Sequence, residues 1–201
     1  MADRPDVEPG GGSGSPAADR PIGPAPATLI ARLRYYWVVE LANAVVVPVG
    51  VTAFGLYWGA QPGILTALAV PANVLLLIIG GLYWRAKLHR LTIGPATLDR
   101  LLPALDRLQR PSQALTGLAV AAATVAWVIP SVARGTGDRV LATIFAVLAA
   151  LEYVNYYHRQ LQHFDHGPDF RRLLAGRGLR RSQLARDLAR WRRGDLRRPT
   201  G

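Results

Sequence analysis

Residues 62–84 read PGILTALAVPANVLLLIIGGLYW, a run without a single Asp, Glu, Lys or Arg. A hydrocarbon core of about 30 Å is crossed by about 20 apolar residues in a helix. Just upstream, residues 36–58 read YWVVELANAVVVPVGVTAFGLYW, interrupted by one glutamate, and the link Gly59-Ala60-Gln61 between the two runs is uncharged. In a soluble protein such blocks would have to be buried on every side, and a chain of 201 residues cannot build enough shell to do that. They need lipid as solvent. Two further segments, 113–133 and 139–157, also reach crossing length. The expectation is an all-α integral membrane bundle of four transmembrane helices.

Aromatic residues mark the ends of these segments. Tyr35, Tyr36 and Trp37 open the first, Tyr57 and Trp58 close it, Tyr83 and Trp84 close the second, and Tyr153, Tyr156 and Tyr157 crowd the end of the fourth. Their amphipathic rings suit the headgroup level. Arginine sets the orientation. The chain carries 24 Lys+Arg against 13 Asp+Glu, and Lys87 is its only lysine. Arg20, Arg32 and Arg34 precede the first span, and Arg85, Lys87, Arg90, Arg100, Arg107 and Arg110 lie between the second and third. Twelve arginines, from Arg159 to Arg198, follow the fourth, whereas the third link has only Arg134 and Arg139. The positive-inside rule then puts both termini and the second link in the cytoplasm. The localisation expected is a multi-pass inner membrane protein, and the Arg-, Ala-, Gly- and Pro-rich composition suggests a GC-rich bacterial source.

Three regions follow. Residues 1–28, with the run Pro9-Gly10-Gly11-Gly12-Ser13-Gly14-Ser15-Pro16, bury too little apolar surface to offset their ordering entropy and read as a disordered tail. They lack the basic start, short apolar core and cleavage site of a signal peptide, so the first span reads as an uncleaved anchor. Residues 29–163 form the transmembrane domain, and 164–201 a basic cytoplasmic tail. There is no cysteine, which excludes disulfides, thiolate nucleophiles and cysteine-ligated metals.

The loops carry their own patterns. In 96–110 the leucines 98, 101, 102, 105 and 108 recur at helical spacing. This predicts a short amphipathic helix, lying at the interface or docked on the bundle, and bent near Pro103. The third span is rich in small residues, Gly117, Ala121, Ala122 and Ala123, which suit close helix approach. Pro48 and Pro71 sit mid-span as kinks of the bundle or as hinges. In the tail, Ser182 can cap a helix over 183–193, with Leu184, Leu188 and Trp191 on one face and arginine around the rest. Such a helix suits an anionic inner leaflet, where each Arg adds about 1 kcal/mol of attraction. Nucleic acid competes for an arginine-rich tail, but phosphate binding would not favour a Leu/Trp stripe, and no nucleic-acid motif is present.

Ionisable groups inside a span are rare and mark candidate sites. There are two, Glu40 in the first span and Glu152 in the fourth. The spans run in opposite directions, so at ~1.5 Å per residue both glutamates lie roughly 6–8 Å inside the cytoplasmic boundary. They share a depth. Tyr36, Glu40 and Asn43 share one helical face, and Glu152, Asn155, Tyr156 and Arg159 share another, with Arg159 able to pair with a carboxylate. If the two spans are neighbours, Glu40, Asn43, Glu152, Asn155, Tyr156 and Arg159 form one polar cluster, which Asn73 could extend inward. Three readings compete: interhelical glue, a binding or proton-sharing site, and an active site.

His158, His163 and His166, with Asp165, could ligate a transition metal. Their spacing places His163 and His166 near one face and His158 only approximately, so a polar, solvated helix end is the simpler reading. Four histidines are too few for the boxes of membrane di-iron hydroxylases. No Walker A loop, dinucleotide fingerprint, metalloprotease motif or nucleophile elbow appears, and Gly80-Gly81 is no phosphate cradle. No cofactor and no catalytic set is expected.

The stretch Leu151-Glu152-Tyr153-Val154-Asn155-Tyr156-Tyr157-His158, followed by a basic tail, resembles the end of small uncharacterised bacterial membrane proteins. The resemblance covers the last third of the chain and implies no activity and no functional residue. The leading expectation is a non-enzymatic membrane protein whose cytoplasmic face engages anionic lipid or a protein partner. The alternative is a small transporter or channel component in which Glu40 and Glu152 handle a proton or cation. Four spans are few for a pore, so the alternative calls for a homo-oligomer.

Overall fold

The computed structural model describes residues 27–161 and 180–195. They are all-helical: α1 (Ala27–Tyr57), α2 (Ile64–Thr92), α3 (Ala96–Val128), a 3-10 turn (Pro130–Val132), α4 (Thr136–Tyr157) and α5 (Gln183–Arg192). Helices α1 to α4 are long and apolar enough to cross a membrane, as expected of a multi-pass membrane protein. Most of the N-terminal tail and much of the basic tail, including His163, Asp165 and His166, lie outside the described residues.

Helix α2 is the hub. It packs against α1, α3 and α4, whereas α1 and α4 touch only marginally. Ala69, Ala72, Leu76, Ile79 and Tyr83 of α2 meet Leu98, Leu102, Ala119 and Ala123 of α3 and Phe145, Ala146 and Ala149 of α4 in one core. Alanines and glycines at these contacts let the backbones come close, which is where packing enthalpy arises when the solvent is itself hydrocarbon. Helix α1 is the opposite case. Its Val45, Val46, Val49 and Phe54 are 61–66% exposed. That would be costly in water and is neutral in lipid.

The structure differs from the sequence expectation in α3. The link and the third span are one continuous helix of 33 residues, roughly 50 Å long, that passes through Pro103 and Pro111 without a break. Leu98, Leu102 and Leu105 are buried against the bundle, so their stripe is consumed by protein. The backbone carbonyls that the two prolines leave without an amide belong to Asp99 and Arg107, at the arginine-rich end, where water can replace the lost bond. The helix stops at Val128, ahead of the expected 133, because Pro130 forces extended backbone on Ile129.

Helix α4 starts at Thr136 and so takes in Asp138, a residue outside the expected span. Asp138 is fully buried. Its Oδ1 accepts from the backbone N–H of Gly63 (2.8 Å), the N–H of Thr66 (3.0 Å) and the Thr66 hydroxyl (2.7 Å), and its Oδ2 from the N–H of Arg134 (3.3 Å). The first turn of α2 has unpaired amides and a partial positive charge. A carboxylate from α4 therefore caps α2 across the bundle, at the end with few arginines.

Helix α5 closes the other end. Ser182 caps it by accepting from the Ala185 N–H (3.1 Å), as its sequence suggests, and donates to the carbonyl of Tyr156. Leu184, Ala185 and Leu188 are buried, with Trp191 packed at the edge. The apolar stripe expected to face lipid thus docks on the bundle. Asp187 fixes the docking: it is 4% exposed, accepts from the Tyr83 hydroxyl (2.8 Å) and pairs with Lys87 (2.8 Å), the lone lysine. Arg192 Nε reaches Asp106 of α3 at 2.8 Å.

Candidate functional site

Only three residues of α1 are buried, Leu33, Glu40 and Ala44. In a helix that otherwise presents valine outward, a buried glutamate marks the side where the bundle offers something polar. What it offers is Tyr156, whose hydroxyl donates to Glu40 Oε1 at 2.8 Å. The reach is made possible by α2. A Cβ on Gly80 would lie 2.0 Å from the Tyr156 hydroxyl oxygen, and one on Gly81 2.6 Å from the Leu41 side chain. The Gly80-Gly81 pair is therefore the point where α1 and α4 both close on α2, and only glycine leaves the tyrosine a passage.

Beside this bond lies a cavity of about 220 Å³ bounded by α1, α2 and α4. Helix α1 supplies Tyr36, Glu40, Asn43 and Val47, four positions of one face at i, i+4, i+7 and i+11. Helix α2 supplies Asn73, Leu77 and Trp84, which with Gly80 repeat the same spacing. Helix α4 supplies Leu148 and Glu152. The cavity runs from the Tyr36 and Trp84 rings, 6.3 Å apart, inward to Asn73.

Its hydrogen bonding is incomplete. Asn73 is 1% exposed and its Oδ1 has no partner among the described residues; neither has the buried Oε2 of Glu152. A buried acceptor left unpaired costs about 1–3 kcal/mol. Both atoms belong to residues that line the cavity, although the atoms themselves are closed to solvent. Glu40 and Glu152 are also close enough for their charges to interact. Such an enclosure, with two carboxylates and two amides, suits a donor-bearing or positively charged guest.

Of the sequence-based candidates, Glu40, Asn43 and Glu152 meet in the cavity, and Tyr156 joins through its bond to Glu40. Asn155 hydrogen-bonds to Glu152 through its side chain, while its Oδ1 accepts from the Leu161 N–H at 2.9 Å in the chain reversal after α4. Arg159 lies in that reversal, bridged by backbone to Arg181. His158 caps α4, with its ring centroid 5.3 Å from that of Tyr153. Among the described residues no group of three metal-ligating side chains occurs. The sequence reading gave Trp84 to the aromatic belt and did not place Trp84 or Gly80 at the site. Their signal was present, since positions 73, 77, 80 and 84 lie on one helical face.

Comparison with known proteins finds no family model, curated protein or solved structure that matches the chain. The function has to be argued from the residues.

Proposed function

We propose that this is a non-enzymatic, multi-pass protein of a bacterial inner membrane that takes up a proton or cation between Glu40 and Glu152, from the cytoplasmic side. The observation that carries this reading is a cavity lined by two carboxylates, Glu40 and Glu152, from different helices, together with the amides of Asn43 and Asn73. The arginine distribution supports the orientation: with both termini inside, the cavity lies in the inner leaflet and its aromatic end faces the cytoplasm. Four spans are few for a pathway, so transport would use a homo-oligomer.

The test is flux. With the full chain in liposomes under an imposed proton or sodium gradient, dye-reported flux is expected, and Glu152→Gln should lower it at least tenfold with little loss of thermal stability. Equal flux in the wild type and in Glu152→Gln, or no flux of either ion in the wild type, would overturn the reading.

A second reading concerns the arginine-rich surface. Docking of α5 leaves Arg181, Arg186 and Arg190 exposed beside the bundle, where each could add about 1 kcal/mol of attraction to anionic headgroups. Native mass spectrometry of protein extracted from mixed bilayers should retain phosphatidylglycerol over phosphatidylcholine. Arg186→Gln with Arg190→Gln should weaken that preference, and the absence of any preference in the wild type would remove this reading.

A further inference from the structure

We infer that the ligand of the Glu40–Glu152 cavity is a primary organic ammonium ion, with its N–H donors on the Glu40 and Glu152 carboxylates and its hydrocarbon part against Val47, Leu77 and Leu148. This rests on the cation reading above and narrows it to a substrate class.

Three features select that class. The first is size: about 220 Å³ equals the liquid volume of about seven waters at ~30 Å³ each. A single bare cation does not fill it. The second is the wall. A dehydrated metal ion wants six or more oxygens on every side, whereas here the polar groups of Glu40, Asn43, Asn73 and Glu152 alternate with Val47, Leu77 and Leu148, and one Glu40 oxygen is already engaged by Tyr156. An amphipathic guest matches an amphipathic wall. The third is the set of acceptors. Two carboxylates, Glu40 and Glu152, line the same cavity, and they call for N–H donors, which a quaternary ammonium lacks. The Tyr36 and Trp84 rings at the cavity's end add faces on which a cation can rest within about 6 Å. An anion would meet two carboxylates, and a neutral alcohol would leave their charge uncompensated.

The experiment is calorimetric titration of the full chain in nanodiscs with phenethylammonium, 2-phenylethanol, tetramethylammonium and sodium. Phenethylammonium should bind at least tenfold more tightly than the alcohol of the same shape, and at least tenfold more tightly than tetramethylammonium. Glu152→Gln should weaken amine binding tenfold or more. Val47→Phe, which fills the cavity without touching its charge, should do the same and reads the site even if the glutamate variant fails to fold. Equal binding of amine and alcohol, or amine binding unchanged in Val47→Phe, overturns the inference. If the amine does not bind while Glu152-dependent proton or sodium flux persists, the substrate class falls and the cation reading stands. If the amine does not bind and no such flux exists, both fall.

Discussion

Each end of the bundle holds a carboxylate from α4 with a buried oxygen, and the two ends treat it in opposite ways. Asp138 is surrounded by donors, three of them from the first turn of α2 and its cap, and every one is used. Glu152, about four turns further along the same helix, lines a cavity, and its Oε2 has no partner among the described residues. The lesson is that burial of a charge does not by itself separate structure from function. The two carboxylates differ in how completely they are hydrogen-bonded.

The comparison can be broken most easily at its structural end. Asp138→Ala strands the amides of Gly63 and Thr66 at the start of α2. It should cost about 3 kcal/mol, lowering Tm by roughly 6–12 °C as followed by thermal unfolding in detergent. A loss as small as that of an ordinary surface substitution would mean that α2 does not need its cap. Next comes Gly80→Ala, which puts a methyl where the Tyr156 hydroxyl passes and should cost about 1–3 kcal/mol. Tyr156→Phe should cost about 1 kcal/mol in the wild type and almost nothing in the Gly80→Ala background, because the bond to Glu40 is already broken there. A double-mutant cycle with strict additivity would disprove that route. At α5, Asp187→Ala removes the acceptor shared by Tyr83 and Lys87. It should cost about 1–2 kcal/mol and make residues 180–195 more accessible to protease while the bundle keeps its Tm. The smallest stability effect belongs to Glu152→Gln, within about 0.5 kcal/mol, since no existing protein bond of its Oε2 is lost. That variant should show the largest loss of flux. If it instead unfolds as readily as Asp138→Ala, the contrast between the two carboxylates disappears.

Much of the fold was legible because length and apolarity are direct readouts of a bilayer's thickness: the four long helices cover the expected crossing segments to within two residues, apart from the end of the third. The common depth of Glu40 and Glu152 followed from antiparallel direction alone. What could not be read has a common cause. An apolar stripe on a polar helix looks the same whether it meets lipid or protein, so Leu98, Leu102 and Leu105, and again Leu184 and Leu188, carried no sign that they dock on the bundle. Asp138 sat beside Gly135 and Gly137 in a stretch that resembles a loop, and its value depends on Thr66, which is 72 residues away. Gly80 showed only that it is no phosphate cradle, and its role appeared with the tyrosine that crosses it. Asn155 shares the spacing of the site face, yet a free amide after α4 drew its oxygen away.

The Tyr156–Glu40 bond spans 116 residues of chain, and that separation has a consequence for synthesis. A ribosome adding about 5–20 residues per second leaves an interval on the order of ten seconds between the glutamate and its tyrosine. During that time the α1–α2 hairpin already carries Glu40, Asn43 and Asn73, with nothing from α4 to meet them. A nascent chain stalled in that window would display bare polar groups to lipid, a ready mark by which membrane quality control could tell an unfinished copy from a finished one.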